Sequence, residues 1–186
     1  MNEESAQWVP QTNRIQEIQE EEIEIAELRD FSVHPLYELF FLYIEPISAL
    51  AGSFYAGRPL EYLSMLTLGQ SRVDLNPAFV STQVDVALFQ LSNLYLLFAV
   101  NEHLVLKHSR SLDTWRALLF GLLIADFGHL AANLPLGYDV FWKFWEWNAM
   151  MWGGVGFVYA GALTRILFLL GVGVQQEPLI VKEKED

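Results

Sequence analysis

The stretch Ala117–Leu134, ALLFGLLIADFGHLAANL, decides the fold class of this chain, because it is apolar over almost its whole length. A helix of this length approaches the ~20 residues that cross the hydrocarbon core of a bilayer. Asp126 and His129 lie in its second half, three residues apart, and therefore share one face of a helix. A charge at that depth costs at least ~2.5–3.5 kcal/mol, so both side chains must face protein or trapped water.

Three other apolar segments of similar length accompany this one. The chain has 186 residues, of which 53% are hydrophobic, which is more than is usual in a soluble domain. The sequence therefore predicts an all-α, polytopic membrane protein in the lipid bilayer, with a four-transmembrane-helix bundle in residues 34–174. The predicted spans cover residues 36–56, 86–106, 114–134 and 148–174.

The acidic residues concentrate in an N-terminal tail, residues 1–33, which we expect to be solvated and partly disordered. A short charged tail, residues 175–186, closes the chain. No basic patch is present, so nucleic acid is not expected as a partner. The absence of cysteine excludes disulfides, thiol catalysis and thiolate metal sites.

The distribution of Lys and Arg predicts the orientation of the chain in the membrane. An even number of spans places both termini on one side, and the tails and the loop after the second span carry more Lys and Arg than the other loops. The positive-inside rule therefore predicts cytoplasmic termini. The polar, acidic start has no apolar signal-peptide core, so the first span must act as the targeting signal. We expect an endomembrane location such as the endoplasmic reticulum.

The candidate catalytic residues are Asp126, His129 and Glu45, of which Glu45 lies near mid-span, just before Pro46. A carboxyl beside an imidazole at low dielectric can hold and transfer protons. Alternatively, these side chains only bond to each other and to neighbouring helices. Placing the spans side by side by depth predicts a pocket that opens away from the cytoplasm. Its predicted lining is Asn93, Asn101, Asn133, Trp145, Trp147, Asn148, Trp152 and Tyr159.

A second polar group is predicted near the cytoplasmic face, where Glu102 and Arg165 are expected to form a structural ion pair. The last span also carries a ridge of small residues, which predicts close helix packing and a contact between copies of the chain. This ridge consists of Ala149, Gly153, Gly156 and Ala160. No paired histidines at metal-binding spacing occur, so neither a metal site nor a cofactor is predicted.

Four blocks of sequence carry a resemblance to a known family. They are LYIEP at 42–46, NLYLLFA-N-E at 93–102, LLIAD-GHL at 122–130 and WNAM-WG--GFVY-GA--R--FLLGVG at 147–173. The chain resembles the small four-span integral membrane proteins of filamentous fungi that are classed as a domain of unknown function. The resemblance implies the topology and a fungal membrane context, and it implies no activity.

Three functions remain open from the sequence. The first is an enzyme that isomerises or cyclises a lipophilic small molecule by acid–base chemistry, with an aromatic wall from the run Tyr138–Trp147. Fungal membrane-bound terpene cyclases and emopamil-binding-protein-like sterol isomerases use similar residue types, although they share no motif with this chain. The second is a non-catalytic scaffold or accessory subunit, whose aromatic run is only an interfacial belt. The third is an oligomeric proton or solute carrier.

Overall fold

The computed structural model describes residues 31–66 and 80–176. Four helices in this part are long and apolar enough to cross a membrane. This confirms the predicted all-α, four-span fold class. The predictions for the acidic tail fall on residues 1–30, outside the described residues, except that Phe31–Val33 forms a short strand.

The helices follow one another along the chain with short connections where these are described. Three 3-10 turns, Leu134–Leu136, Tyr138–Phe141 and Phe144–Glu146, connect the third span to the last one. The helices are α1 (Pro35–Ala56), α2 (Pro59–Met65), α3 (Thr82–His108), α4 (Leu112–Ala132) and α5 (Ala149–Leu169).

Polar side chains cap the helices where the sequence changes from loop to apolar span. Ser81 accepts a hydrogen bond from Val84 N at the start of α3, and Ser111 accepts one from Thr114 N at the start of α4. These bonds satisfy backbone donors that the first turn of a helix leaves free. The last helix ends at Leu169 rather than near residue 174, because Gly171 and Gly173 adopt φ of 81° and 70°.

A two-stranded antiparallel sheet joins the two ends of the described domain. Strand β1 (Phe31–Val33) pairs with β2 (Val174–Gln176), and Tyr37 donates its hydroxyl to Val172 O at 2.8 Å. We call this side of the bundle the terminal end and the opposite side the loop end. An aromatic core fills the terminal end; its buried members are Phe31, Tyr37, Phe41, Leu106, Leu112, Trp115, Leu119, Leu122 and Phe168.

The spans pack most closely in pairs, α1 against α3 and α4 against α5. The bundle therefore consists of two helix pairs with a seam between them. Ser53 and Ser92 bind α1 to α3, since each hydroxyl donates to the other residue's carbonyl at 2.8 Å. At the loop end, a smaller core of Val140, Trp147, Met151 and Val155 packs under the 3-10 turns.

Helix α1 is distorted next to Pro46, and a side chain from α3 compensates for the backbone donor that the proline lacks. The segment Phe40–Ile44, just before Pro46, is a π-helical turn. Proline has no N–H to donate to the carbonyl four residues earlier, which is Leu42 O. His103 on α3 lies with Nδ1 at 2.7 Å from that oxygen, and an imidazole nitrogen facing a carbonyl must carry the proton and donate it.

We predict that His103→Ala lowers the free energy of unfolding by about 1–3 kcal/mol, because it leaves Leu42 O without its donor. Chemical unfolding in mixed micelles measures this change. The loss should be smaller in a Pro46→Ala background, since residue 46 then has an N–H of its own.

The control for this prediction is His108→Ala. His108 makes a similar 2.8 Å contact with Leu104 O, but within its own helix and at the exposed end of α3. Its removal should change the stability by no more than about 0.5 kcal/mol. Equal losses for the two histidines would contradict the assignment.

Candidate functional site

Arg165 on α5 lies at the centre of the polar interior, with its side chain only 2% exposed. Its Nη1 donates to Asp126 Oδ2 at 2.7 Å, and its Nη2 donates to Glu45 Oε1. Glu102 Oε1 lies 3.5 Å from the same Nη2. Each of the four spans thus contributes one member to a charge cluster, which consists of Glu45, Glu102, Asp126 and Arg165.

The charge cluster joins the two helix pairs across the seam. Glu45 and Glu102 belong to the α1–α3 pair, whereas Asp126 and Arg165 belong to the α4–α5 pair. The guanidinium therefore bonds within its own pair to Asp126 and across the seam to Glu45. Arginine suits this role, because its planar fork donates in several directions at once and stays charged.

The prediction of two separate polar groups at different depths is wrong. The expected Glu102–Arg165 contact is present, but Glu45 and Asp126 join it. The physical reason is side-chain direction, since helical side chains point back toward the N-terminus of their own helix. Helices α1 and α4 run away from the terminal end, so Glu45 and Asp126 point back toward it. Helices α3 and α5 run the other way, so Glu102 and Arg165 meet these side chains from the opposite direction.

Gly161 makes room for the guanidinium, and the sequence reasoning missed this residue. A Cβ at Gly161 would lie 2.9 Å from Arg165 Nη1 and 3.5 Å from Glu45 Oε1. A glycine one helical turn before a buried arginine therefore allows the long side chain to lie along its own helix. The signal was visible as the spacing of four residues between Gly161 and Arg165.

The cluster contains more carboxyl groups than it can leave ionised at low cost. One guanidinium faces three carboxyl groups in a region that excludes water, where an uncompensated charge is expensive. Glu45 Oε1 and Glu102 Oε1 also face the same nitrogen, Nη2 of Arg165. Two carboxylates this close together repel each other at low dielectric, so we infer that one of them holds a proton. The arrangement therefore stores a proton next to a fixed positive charge.

His129 does not belong to the charge cluster, although it lies one turn beyond Asp126. Its ring packs 6.3 Å from the Tyr95 ring, centroid to centroid, and Nε2 lies 3.7 Å from where a Cβ of Gly154 would be. The hydroxyl of Tyr95 faces that of Tyr62 on α2, and burial raises the pKa of the Tyr62 hydroxyl. His129, Tyr95 and Tyr62 form a second polar group, which we call the tyrosine–histidine group.

The two polar groups lie in successive layers of the bundle. Glu102 and Tyr95 are seven residues apart on α3, and Gly161 and Gly154 are seven residues apart on α5. Seven residues are two turns, or about 10 Å along a helix. The tyrosine–histidine group therefore lies about two turns from the charge cluster, toward the loop end.

The structure does not gather the predicted pocket residues into one pocket. Asn93 and Asn101 lie on the exposed outer face of α3, and Trp145 and Trp152 are also exposed. Each of the remaining members donates a side-chain hydrogen bond to a backbone carbonyl. These are Asn133 Nδ2 to His129 O at 2.9 Å, Asn148 Nδ2 to Met65 O at 2.9 Å, Trp147 Nε1 to Val140 O at 2.8 Å, and Tyr159 OH to Phe141 O at 3.1 Å.

In the described part of the chain, no other helix packs against the small-residue ridge of the last span. Ala149, Gly153 and Ala160 are exposed, and nothing lies within 4 Å of a Cβ placed on Gly153. At Gly156, the fourth member, the space is taken by the rings of Trp147 and Trp152. The close approach in α5 occurs at Gly161 instead. Within the described residues, no group of His, Asp and Glu is arranged to hold a metal ion.

We predict that Arg165→Gln lowers the free energy of unfolding by about 3–5 kcal/mol, because it leaves three buried acidic groups without a cation. Glu102→Gln should cost at most about 1.5 kcal/mol, since Glu102 makes the longer contact with Arg165, at 3.5 Å, and a neutral amide has the shape of a protonated carboxyl group. Unfolding in mixed micelles measures both variants. Equal losses would show that Glu102 is an ionised partner of Arg165.

We also predict that Gly161→Ala destabilises the protein by about 1–3 kcal/mol, because the added methyl group displaces Arg165 Nη1. Gly153→Ala on the same helix meets open space and is the matched control. Helix propensity favours alanine, so the control should be neutral or stabilising by up to about 1 kcal/mol. The thermal midpoints of the two variants in detergent separate these outcomes, and equal midpoints would contradict the packing at Gly161.

Comparison with known proteins gives a family and no activity. Residues 31–175 match a protein family that is described as a domain of unknown function, DUF7704. No curated protein and no solved structure matches the chain. The predicted membership in a family of unknown function is confirmed, whereas the fungal origin and the four sequence blocks stay predictions. Because the match contains all four spans, the chain belongs to the DUF7704 family.

Proposed function

We propose that the chain is a membrane protein whose charge cluster is an acid–base centre for a lipophilic small molecule. The single observation that carries this proposal is the pair of carboxyl groups, Glu45 and Glu102, that face the same guanidinium nitrogen of Arg165. Such a pair holds a proton that can be released to a bound molecule, and a second carboxyl group can take a proton back. An isomerisation or a cyclisation by proton transfer needs no other reagent.

The exposed fractions of the side chains suggest how the roles are divided. The side chains of Glu45 and Asp126 are each 13% exposed, whereas that of Glu102 is 4% exposed. Glu45 is therefore the group that can pass the shared proton of the pair to a molecule in the seam. Asp126 lies on the other side of the seam, where it can act as the base, and the proton that it removes returns to the Glu45–Glu102 pair.

The proposed roles differ from the sequence prediction for His129 and for the aromatic wall. His129 lies in the neighbouring layer, so we assign it to positioning through Tyr95. The exposed rings Trp142, Phe144 and Trp145 are typical of an interfacial belt. The guanidinium instead faces the ring of Phe41, with Arg165 Cζ at 5.9 Å from the ring centroid.

A scaffold or accessory role is the second candidate, and one observation favours it. The four charged groups come from four different spans and bond mainly to one another, which is how a helix bundle is held in a single arrangement. In this case the cluster has no substrate. The third candidate function is an oligomeric proton or solute carrier. It is supported only by the stacking of the charge cluster and the tyrosine–histidine group along the bundle.

We further propose an endomembrane location with cytoplasmic termini. The pairing of β1 with β2 places the two ends of the described domain on the same side, which fits an even number of spans. The excess of Lys and Arg on that side supports the cytoplasmic assignment.

We predict that cells without this protein accumulate or lack one lipophilic compound, and that wild type restores its level while Asp126→Asn does not. The change is nearly isosteric but removes the base. Untargeted lipid and metabolite profiling measures the outcome, together with the amount of folded variant in the membrane. Asp113→Asn, the same change in the exposed first turn of α4, is the control and should restore the level fully.

The same variants separate the candidate functions. A folded Asp126→Asn protein that fails to restore the compound supports the enzyme. An unchanged profile in cells without the protein contradicts the enzyme. Loss of a co-purifying partner from a folded Asp126→Asn protein would instead favour the scaffold.

A further inference from the structure

The outer face of α3 carries three amide side chains in the middle of an apolar span. Gln90, Asn93 and Asn101 are all exposed. The opposite face of the same helix points into the bundle, and its buried residues are Leu88, Ala99, Glu102 and Leu106. The amides therefore point away from the bundle and into the region that lipid would occupy.

These amides have no partner within the described part of the chain. None of the three forms a hydrogen bond with any residue of 31–66 or 80–176. A carboxamide in hydrocarbon without a hydrogen bond is unfavourable, and in membrane helices such groups bond across to another helix. The outer face of α3 therefore requires a second helix whose side chains can both donate and accept hydrogen bonds.

Two of the three amides belong to a regular row of exposed residues on the outer face of α3, which we call the heptad stripe. Exposed residues recur along α3 at alternating intervals of four and three, which is the heptad spacing of two helices that wind around each other. The heptad stripe consists of Val86, Gln90, Asn93, Leu97, Val100 and Leu104, and its apolar members are 43–50% exposed. Asn101 flanks the heptad stripe at one side. The heptad stripe contains no charged residue, so two copies would not repel each other.

We propose that the heptad stripe binds a second copy of the same chain, with the two α3 helices parallel. Copies of one membrane protein insert in the same orientation, so a symmetric pair brings each residue opposite itself. A carboxamide suits this arrangement, because it is both donor and acceptor and can bond to its own copy. Gln90 and Asn93 would then fix the register, as a polar residue within a heptad seam does.

The natural absence of cysteine allows a direct test by single-cysteine cross-linking of the full chain. The purified protein is placed in liposomes without any other protein and is treated with copper phenanthroline. Leu97→Cys and Leu104→Cys lie in the heptad stripe and leave every amide in place. We expect both to form covalent dimers that persist when the lipid-to-protein ratio is raised.

Two control positions define the face. Leu96→Cys lies at the same depth but about 100° around the helix, and it should remain monomeric. Gly153→Cys reports on the small-residue ridge of α5, which is the other surface proposed for a contact between copies. Equal cross-linking at Leu96→Cys and Leu97→Cys, or stronger cross-linking at Gly153→Cys, would overturn the proposal.

The role of the amides is tested by adding Asn93→Leu to Leu97→Cys. The dimer association constant should fall by roughly three- to tenfold, the size expected for one hydrogen bond between membrane helices. Leu96→Ala in the same background is the matched control and should leave the constant unchanged. An unchanged or larger constant with Asn93→Leu would overturn the proposal. A lower thermal midpoint for Asn93→Leu under conditions that keep the protein monomeric would also overturn it, because it would place the amide in a contact within the chain.

Discussion

The arrangement of the four spans depends on one buried cation. Arg165 comes from the last helix and contacts an acidic side chain from each of the other three. Since a guanidinium in a water-excluding interior must be compensated, the helices cannot separate without exposing a charge to lipid. The aromatic core at the terminal end adds contact area. The charged side chains fix which side of each helix faces the seam and how far each helix is shifted along the bundle axis.

The backbone of the first and last spans adapts to this arrangement. Both contain a π-helical turn, Phe40–Ile44 in α1 and Trp152–Gly156 in α5. A π turn adds a residue to a helical turn and rotates all that follows, and such turns are frequent at functional sites. In α1 the turn ends directly before Glu45, so it sets the direction of the carboxyl that crosses the seam. Pro46 and His103 then complete the hydrogen bonding at the same place.

The fold could be predicted from the sequence because it depends on length and composition, whereas the site depends on directions that these do not contain. Four apolar segments are visible directly. The depth of each residue along the backbone does not predict the contact between Glu45 and Arg165, because an arginine side chain spans more than one turn of its helix. The polarity of Asn93 and Asn101 predicts an interior position, yet the face of α3 that is buried carries Leu88, Ala99 and Leu106, so the two amides lie on the outer face.

The polar residues of the spans therefore fall into two kinds with different requirements. Full charges need a compensating charge and exclusion from lipid, and only the interior of the bundle offers both. Amides need only one group that donates and accepts, which an identical helix can supply from outside. The ionisable side chains of the charge cluster accordingly point inward, and the amides of α3 point outward. This division separates the proposed acid–base site from the surface proposed to bind a second copy, although Asn101 and Glu102 are neighbours in sequence.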